Sequence, residues 1–88
     1  MSGHESGHRA SWWSSPVAVK TARSGVIRRI SDAAAGLDQL REWDATQNPA
    51  WREAFQLCVA SMDGKATPDA ARTAFLAAAK SIGRLVSE

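Results

Sequence analysis

Between Asn48 and Gly64 the chain places apolar side chains at Trp51, Ala54, Phe55, Cys58, Val59 and Met62. That spacing, i, i+3, i+4, i+7, i+8, i+11, is the signature of one face of an α-helix. Asparagine followed by proline is a helix start: the amide side chain caps the first free N–H groups, and the proline ring presets a helical φ. Gly64 stands where a left-handed residue closes a helix. A single amphipathic helix is marginal in water, so this face must meet other apolar faces. The stripe therefore commits the chain to a packed core.

The same punctuation recurs downstream. Thr67 is a cap, Pro68 opens the next helix and Asp69 lies in its first turn. Ala71, Phe75, Ala78, Ile82 and Leu85 then continue a buried stripe, giving a helix over about 68–86. The short link Lys65-Ala66-Thr67 makes these two helices an αα-hairpin. Upstream, Ser31 reads as an N-cap ahead of Ala33, Ala34, Leu37 and Leu40, a helix over about 32–43. Before it, Pro16-Val17-Ala18-Val19-Lys20-Thr21 and Val26-Ile27-Arg28-Arg29-Ile30 carry strand signatures around an Arg23-Ser24-Gly25 turn. The expected fold class is α+β: a two-stranded antiparallel β-hairpin over about 16–30 followed by three helices, β-β-α-α-α, in one small domain over 12–88.

Eighty-eight residues with 44% apolar and 23% charged side chains fit one small globular domain. A deep enclosed pocket is hard to build at this size. A single cysteine, Cys58, rules out an intramolecular disulfide and suits a reducing compartment. No basic-then-apolar leader opens the chain, and the longest apolar run, Ala74 to Ala79, is too short for a bilayer. A soluble, cytoplasmic protein is expected. Charge is uneven: residues 1–31 hold five basic and one acidic side chain, whereas residues 32–88 hold six and eight. The basic character lies in the first third.

His4-Glu5-Ser6-Gly7-His8 matches the H-E-x-x-H pattern of zinc proteases. That chemistry needs a rigid, docked helix presenting both histidines and a third ligand from elsewhere. Here glycines flank and interrupt the motif, each costing about 1 kcal/mol of helix stability. After Met1, residues 2–11 contain no Leu, Ile, Val or aromatic side chain to dock. The segment reads as a disordered leader, and no metal or other cofactor is expected. A free Ser2-Gly3-His4 terminus would offer nitrogen ligands to Cu(II) or Ni(II), as incidental chemistry. Cys58 has no histidine in the ordered region to activate it and reads as a small hydrophobe. Gly64-Lys65 lacks the Ser/Thr and first glycine of a phosphate-binding loop. No catalytic constellation emerges, and a non-enzymatic role is expected.

Trp43 and Trp51 fall at core positions. Trp12 and Trp13, adjacent on an extended segment, must face opposite ways, so one packs inward and the other is free to anchor a partner. Lys20, Arg23, Arg28 and Arg29 cluster on the hairpin without an acid among them. Such a ribbon either is a solvated, aggregation-resistant strand face or tracks phosphates. Arg72 is within reach of Asp69 at i−3, as a surface pair.

The run Pro16-Val17-Ala18-Val19, the Leu40 to Trp43 helix end, Ala54, Cys58 and Met62-Asp63-Gly64, then Ala71-Arg72, Phe75 and Ala78-Ala79, together resemble a family of small bacterial proteins. It is catalogued as domain of unknown function 982, with members in soil and plant-associated bacteria. The resemblance extends from Trp13 to Val86; it departs at Asp44, where proline is expected, and at Asn48-Pro49. It implies no activity, substrate or cofactor and supports the fold alone. The leading expectation is a cytoplasmic interaction module, taking a protein partner or a second copy through Trp12, Trp13, Lys20, Arg23, Arg28 and Arg29. The alternative is a nucleic-acid-binding regulator using the basic hairpin; neither a membrane nor a small-molecule substrate is expected.

Overall fold

The computed structural model describes residues 12–88, so the leader with His4 and His8 lies outside the described residues. Strand β1 spans Trp12–Lys20 and β2 spans Ile27–Asp32. Helices α1 (Ala33–Trp43), α2 (Pro49–Met62) and α3 (Pro68–Ser81) follow, and a short strand β3 (Leu85–Ser87) ends the chain. The sheet has three antiparallel strands in the order β2-β1-β3, so the expected two-stranded hairpin is corrected to a three-stranded sheet.

The correction has a local cause. Gly83 sits at φ 73°, and Arg84 N–H bonds back to Ala79 O at 2.8 Å, so α3 ends at Ser81 instead of running to 86. Only glycine takes that left-handed conformation without penalty, and the pattern is a Schellman-type stop. Ile82 and Leu85 fit the helical stripe by spacing, but Leu85 reaches the core from β3, opposite Val19. At the other end of the sheet, the register between β1 and β2 shifts between Trp12 and Val17, the stretch that contains Pro16. A bulge is where a strand tolerates the missing donor.

Capping follows the sequence at two helices and departs at one. Asn48 Oδ1 accepts from Trp51 N at 3.0 Å and Thr67 Oγ1 from Ala70 N at 3.0 Å. For α1 the cap is Asp32, accepting from Ala35 N at 2.8 Å, one residue beyond the expected Ser31. Asp44 closes α1 at φ 53°, a conformation shut to proline, whose φ is locked near about −65°.

The helices cover one face of the sheet. Val17, Val19 and Ile30 from the sheet, Leu40 from α1, Cys58 from α2 and Phe75 from α3 are fully buried together. Phe75 packs between two tryptophans, tilted against Trp13 with ring centroids 5.3 Å apart and stacked on Trp43 at 5.7 Å. On α2 the buried line is Trp51, Ala54, Cys58 and Ser61; Val59 and Met62, expected in the stripe, are exposed. A helix has one deepest line, here i, i+3, i+7, i+10, and the flanking residues slide to its margin.

Candidate interaction surface

Alternation along the strands sorts the hairpin side chains between two faces. On β1, Trp13, Val17 and Val19 turn inward and are buried, while Trp12 and Lys20 are exposed. On β2, Ile30 is buried inward, and Ile27 and Arg29 are exposed on the other side. The two tryptophans are thereby assigned. Trp13 is 6% exposed and packs in the core, whereas Trp12 is 57% exposed. The register pairs Lys20 with Ile27 and Ala18 with Arg29, which gathers these side chains on the helix-free face. A shallow groove of about 390 Å³ runs there between Pro16, Ala18, Ile27, Arg29 and Ser87.

The basic cluster does not act as one unit. Arg28 turns toward α1, where its guanidinium meets Asp38 Oδ2 at 3.0 Å and Gln39 Oε1 at 3.4 Å. Gln39, fully buried, passes the chain on by donating from Nε2 to Glu42 Oε1 at 2.7 Å. The same carboxylate oxygen accepts from Ala22 N at 3.1 Å in the β1–β2 turn. The Ala22 N–H, then the Gln39 amide, hold the Glu42 carboxyl below the usual carboxylate range. Arg28 is thus a strap between hairpin and helix. Arg23 lies in the exposed turn, leaving Lys20 and Arg29 as cations on the open face whose side chains make no hydrogen bond or ion pair among the described residues.

Two other polar ties steady this surface from behind. Trp43 Nε1 donates to Lys20 O at 3.0 Å, fixing the end of β1 to α1. Arg72, expected to pair with Asp69, reaches the sheet instead. Its Nε donates to Ser15 O at 2.9 Å and its Nη2 to Ser15 Oγ at 3.0 Å and Glu88 O at 3.1 Å. One guanidinium so joins α3, the β1 bulge and the chain end. A planar, multidentate donor suits such a junction.

Elsewhere the chemistry is sparse. Cys58 is buried, and burial pushes its thiol up to about 12. Among the described residues no cluster of His, Cys, Asp and Glu is arranged to hold a metal ion. No helix among them is long and apolar enough to cross a membrane. The shallow groove between α2 and α3 is lined mostly by small side chains such as Ala50, Ala70 and Ala77, with Glu53 and Asp69 at its sides.

A family model described as Protein of unknown function (DUF982) matches residues 15–86. The chain belongs to this family. The DUF982 match takes in Lys20, Ile27 and Arg29 and leaves Trp12 and Trp13 outside it. No curated protein and no solved structure matches the chain. The family description names no activity, so the surface itself has to carry the functional reading.

Proposed function

We propose that this DUF982 protein is a non-enzymatic interaction module of the cytoplasm that docks a partner protein on the helix-free face of its sheet. The observation that carries the reading is the exposure of Ile27, 57%, on a face that also presents Lys20 and Arg29, with Trp12, equally exposed, at the other end of β1. A large apolar side chain flanked by unpaired cations is costly to leave in water and suits an interface, where aromatic and basic residues concentrate. A single buried cysteine accords with a reducing compartment.

The test is a comparative capture from the native host. Wild type, a Trp12→Ser/Arg29→Glu double variant and a Glu53→Lys variant on the far side of the molecule serve as baits, with quantitative mass spectrometry of each eluate. The reading expects a protein retained by wild type and Glu53→Lys but lost from the double variant. Identical captures by all three baits would refute it. Sedimentation of the wild type alone separates a foreign partner from a second copy.

A further inference from the structure

The docking reading leaves the partner's chemistry open, and the backbone of β2 narrows it. In an antiparallel ladder, residues alternate between pairs that exchange N–H···O bonds and pairs whose backbone groups point to the outer sides. Lys20 fixes the phase. Its N–H donates to Arg84 O at 2.7 Å and its carbonyl accepts from Trp43 Nε1, so neither group turns toward β2. Ile27, opposite Lys20, is therefore in a non-bonded pair, and so is Arg29, opposite Ala18 two residues on. Their N–H and C=O groups point to the open side of β2, which is an edge of the sheet. Among the described residues, no backbone bond outside the ladder satisfies them. The same two residues put their side chains on the helix-free face, one apolar and one cationic.

We propose that this edge takes up an extended acidic segment of a partner protein as a fourth strand. The segment runs antiparallel to Ile27–Asp32, with an acid opposite Arg29 and, two residues later, a branched apolar residue opposite Ile27. Backbone bonds give the attachment and the outward side chains give the choice, as in strand addition generally. The proposal rests on the docking reading above and adds the partner's chemistry to it.

Charge selects among occupants. Strands β1 and β2 with their turn hold Lys20, Arg23, Arg28 and Arg29 against Asp32 alone. A second copy would bring two such ribbons edge to edge, setting like charges side by side. Residues 1–11 offer one acid, Glu5, and no branched apolar side chain. A nucleic acid would meet Lys20 and Arg29 but has no strand backbone to satisfy the outward groups of Ile27 and Arg29. An acidic strand satisfies both. A cationic edge also turns away neutral strands, which keeps the site from becoming an aggregation seam.

The experiment titrates the acetylated, amidated octapeptide Thr-Glu-Thr-Glu-Thr-Val-Thr-Ser into the full ¹⁵N-labelled chain. Saturable amide shifts are expected, largest at Ile27 and Arg29. N-methylation of the second glutamate and the valine, lysine in place of both glutamates, and Arg29→Glu in the protein should each weaken binding by about tenfold or more. Absence of shifts up to about 2 mM peptide would overturn the proposal, because that marks affinity below about 4 kcal/mol. So would equal binding of the N-methylated peptide, or stronger shifts at Ile27 and Arg29 from a twelve-residue oligothymidylate. Shifts confined to the Trp12 indole, with the edge amides silent, would sink strand addition and leave the docking face standing. A partner captured independently of Trp12 and Arg29 would remove the docking face itself.

Discussion

Replacing Arg72 by methionine keeps the aliphatic stem in α3 and deletes the guanidinium that ties the helix to Ser15 and Glu88. The bond to the Ser15 carbonyl is 2.9 Å and half-buried, and the bond to Ser15 Oγ is 3.0 Å; the contact with Glu88 O is exposed. A hydrogen bond from a charged donor contributes about 1.5–3 kcal/mol net. The two Ser15 bonds share one group, so their loss together amounts to about 2–4 kcal/mol, the exposed one adding little. A domain of this size has a total stability of about 4–12 kcal/mol, so the loss is a large share. With a urea m-value of about 1 kcal/mol/M, the midpoint falls by about 2–4 M. Far-UV circular dichroism against urea reads it for Arg72→Met, Ser15→Ala and the double variant. The cycle isolates the hydroxyl bond, with a coupling of about 1 kcal/mol. Asp69→Asn is the control and should stay within about 0.5 kcal/mol. If Asp69→Asn costs as much as Arg72→Met, or if the coupling vanishes, Arg72 is a surface residue of α3 and the junction is refuted.

Gly36→Val places a branched side chain where even a bare Cβ would lie 3.1 Å from Trp13 Cη2 and 3.4 Å from Cys58 Sγ. The expected cost is about 1–3 kcal/mol, read as a fall in Tm, and an unchanged Tm would show that Trp13 is free to move aside. The Cys58 thiol should resist a disulfide reagent at pH 8 in the native protein and react once unfolded. Its native pKa of about 12 lies above the ordinary 9.0, so its contribution is complete below pH 9 and is lost as pH rises toward 12. Cys58→Ala should flatten that alkaline decline, and a native thiol as reactive as the unfolded one would refute burial. Glu42 has the opposite sign: its lowered pKa gives stability present above about 4.5 and lost as pH falls through the folded value. Glu42→Gln should make the acid limb of stability against pH shallower, and an identical limb would show that the Ala22 contact is idle.

Local signals proved sufficient wherever one residue type answers one backbone demand. Asn48-Pro49 and Thr67-Pro68 start α2 and α3 where the capping logic puts them, and Gly25 turns the hairpin at φ 77°. Gly83 carries the same stop signal as Gly64, but Ile82 and Leu85 also continue the helical spacing, and that spacing hides β3. Non-local partners were beyond reach of the pattern. Arg72 sits three residues from Asp69 in sequence and bonds to Ser15, which is distant in the chain and close only after folding. Part of the proposed docking surface was within reach: adjacent strand residues face opposite ways, so Arg28 and Arg29 could not both lie on one face. Which of them points outward depends on where Ile30 is buried, and that depends on the helices. The open edge of β2 follows from the strand order, which a hairpin with an unseen third strand does not disclose.

Amide hydrogen exchange along β2 tests the central claim most directly, because it reads the edge residue by residue. If β2 is a free edge in the phase set by Lys20, the Arg28 and Ile30 amides are protected by β1, while those of Ile27 and Arg29 exchange near the rate of an unstructured chain. Uniform protection across Ile27, Arg28, Arg29 and Ile30 would mean that the edge is already covered, and the docking account would fail.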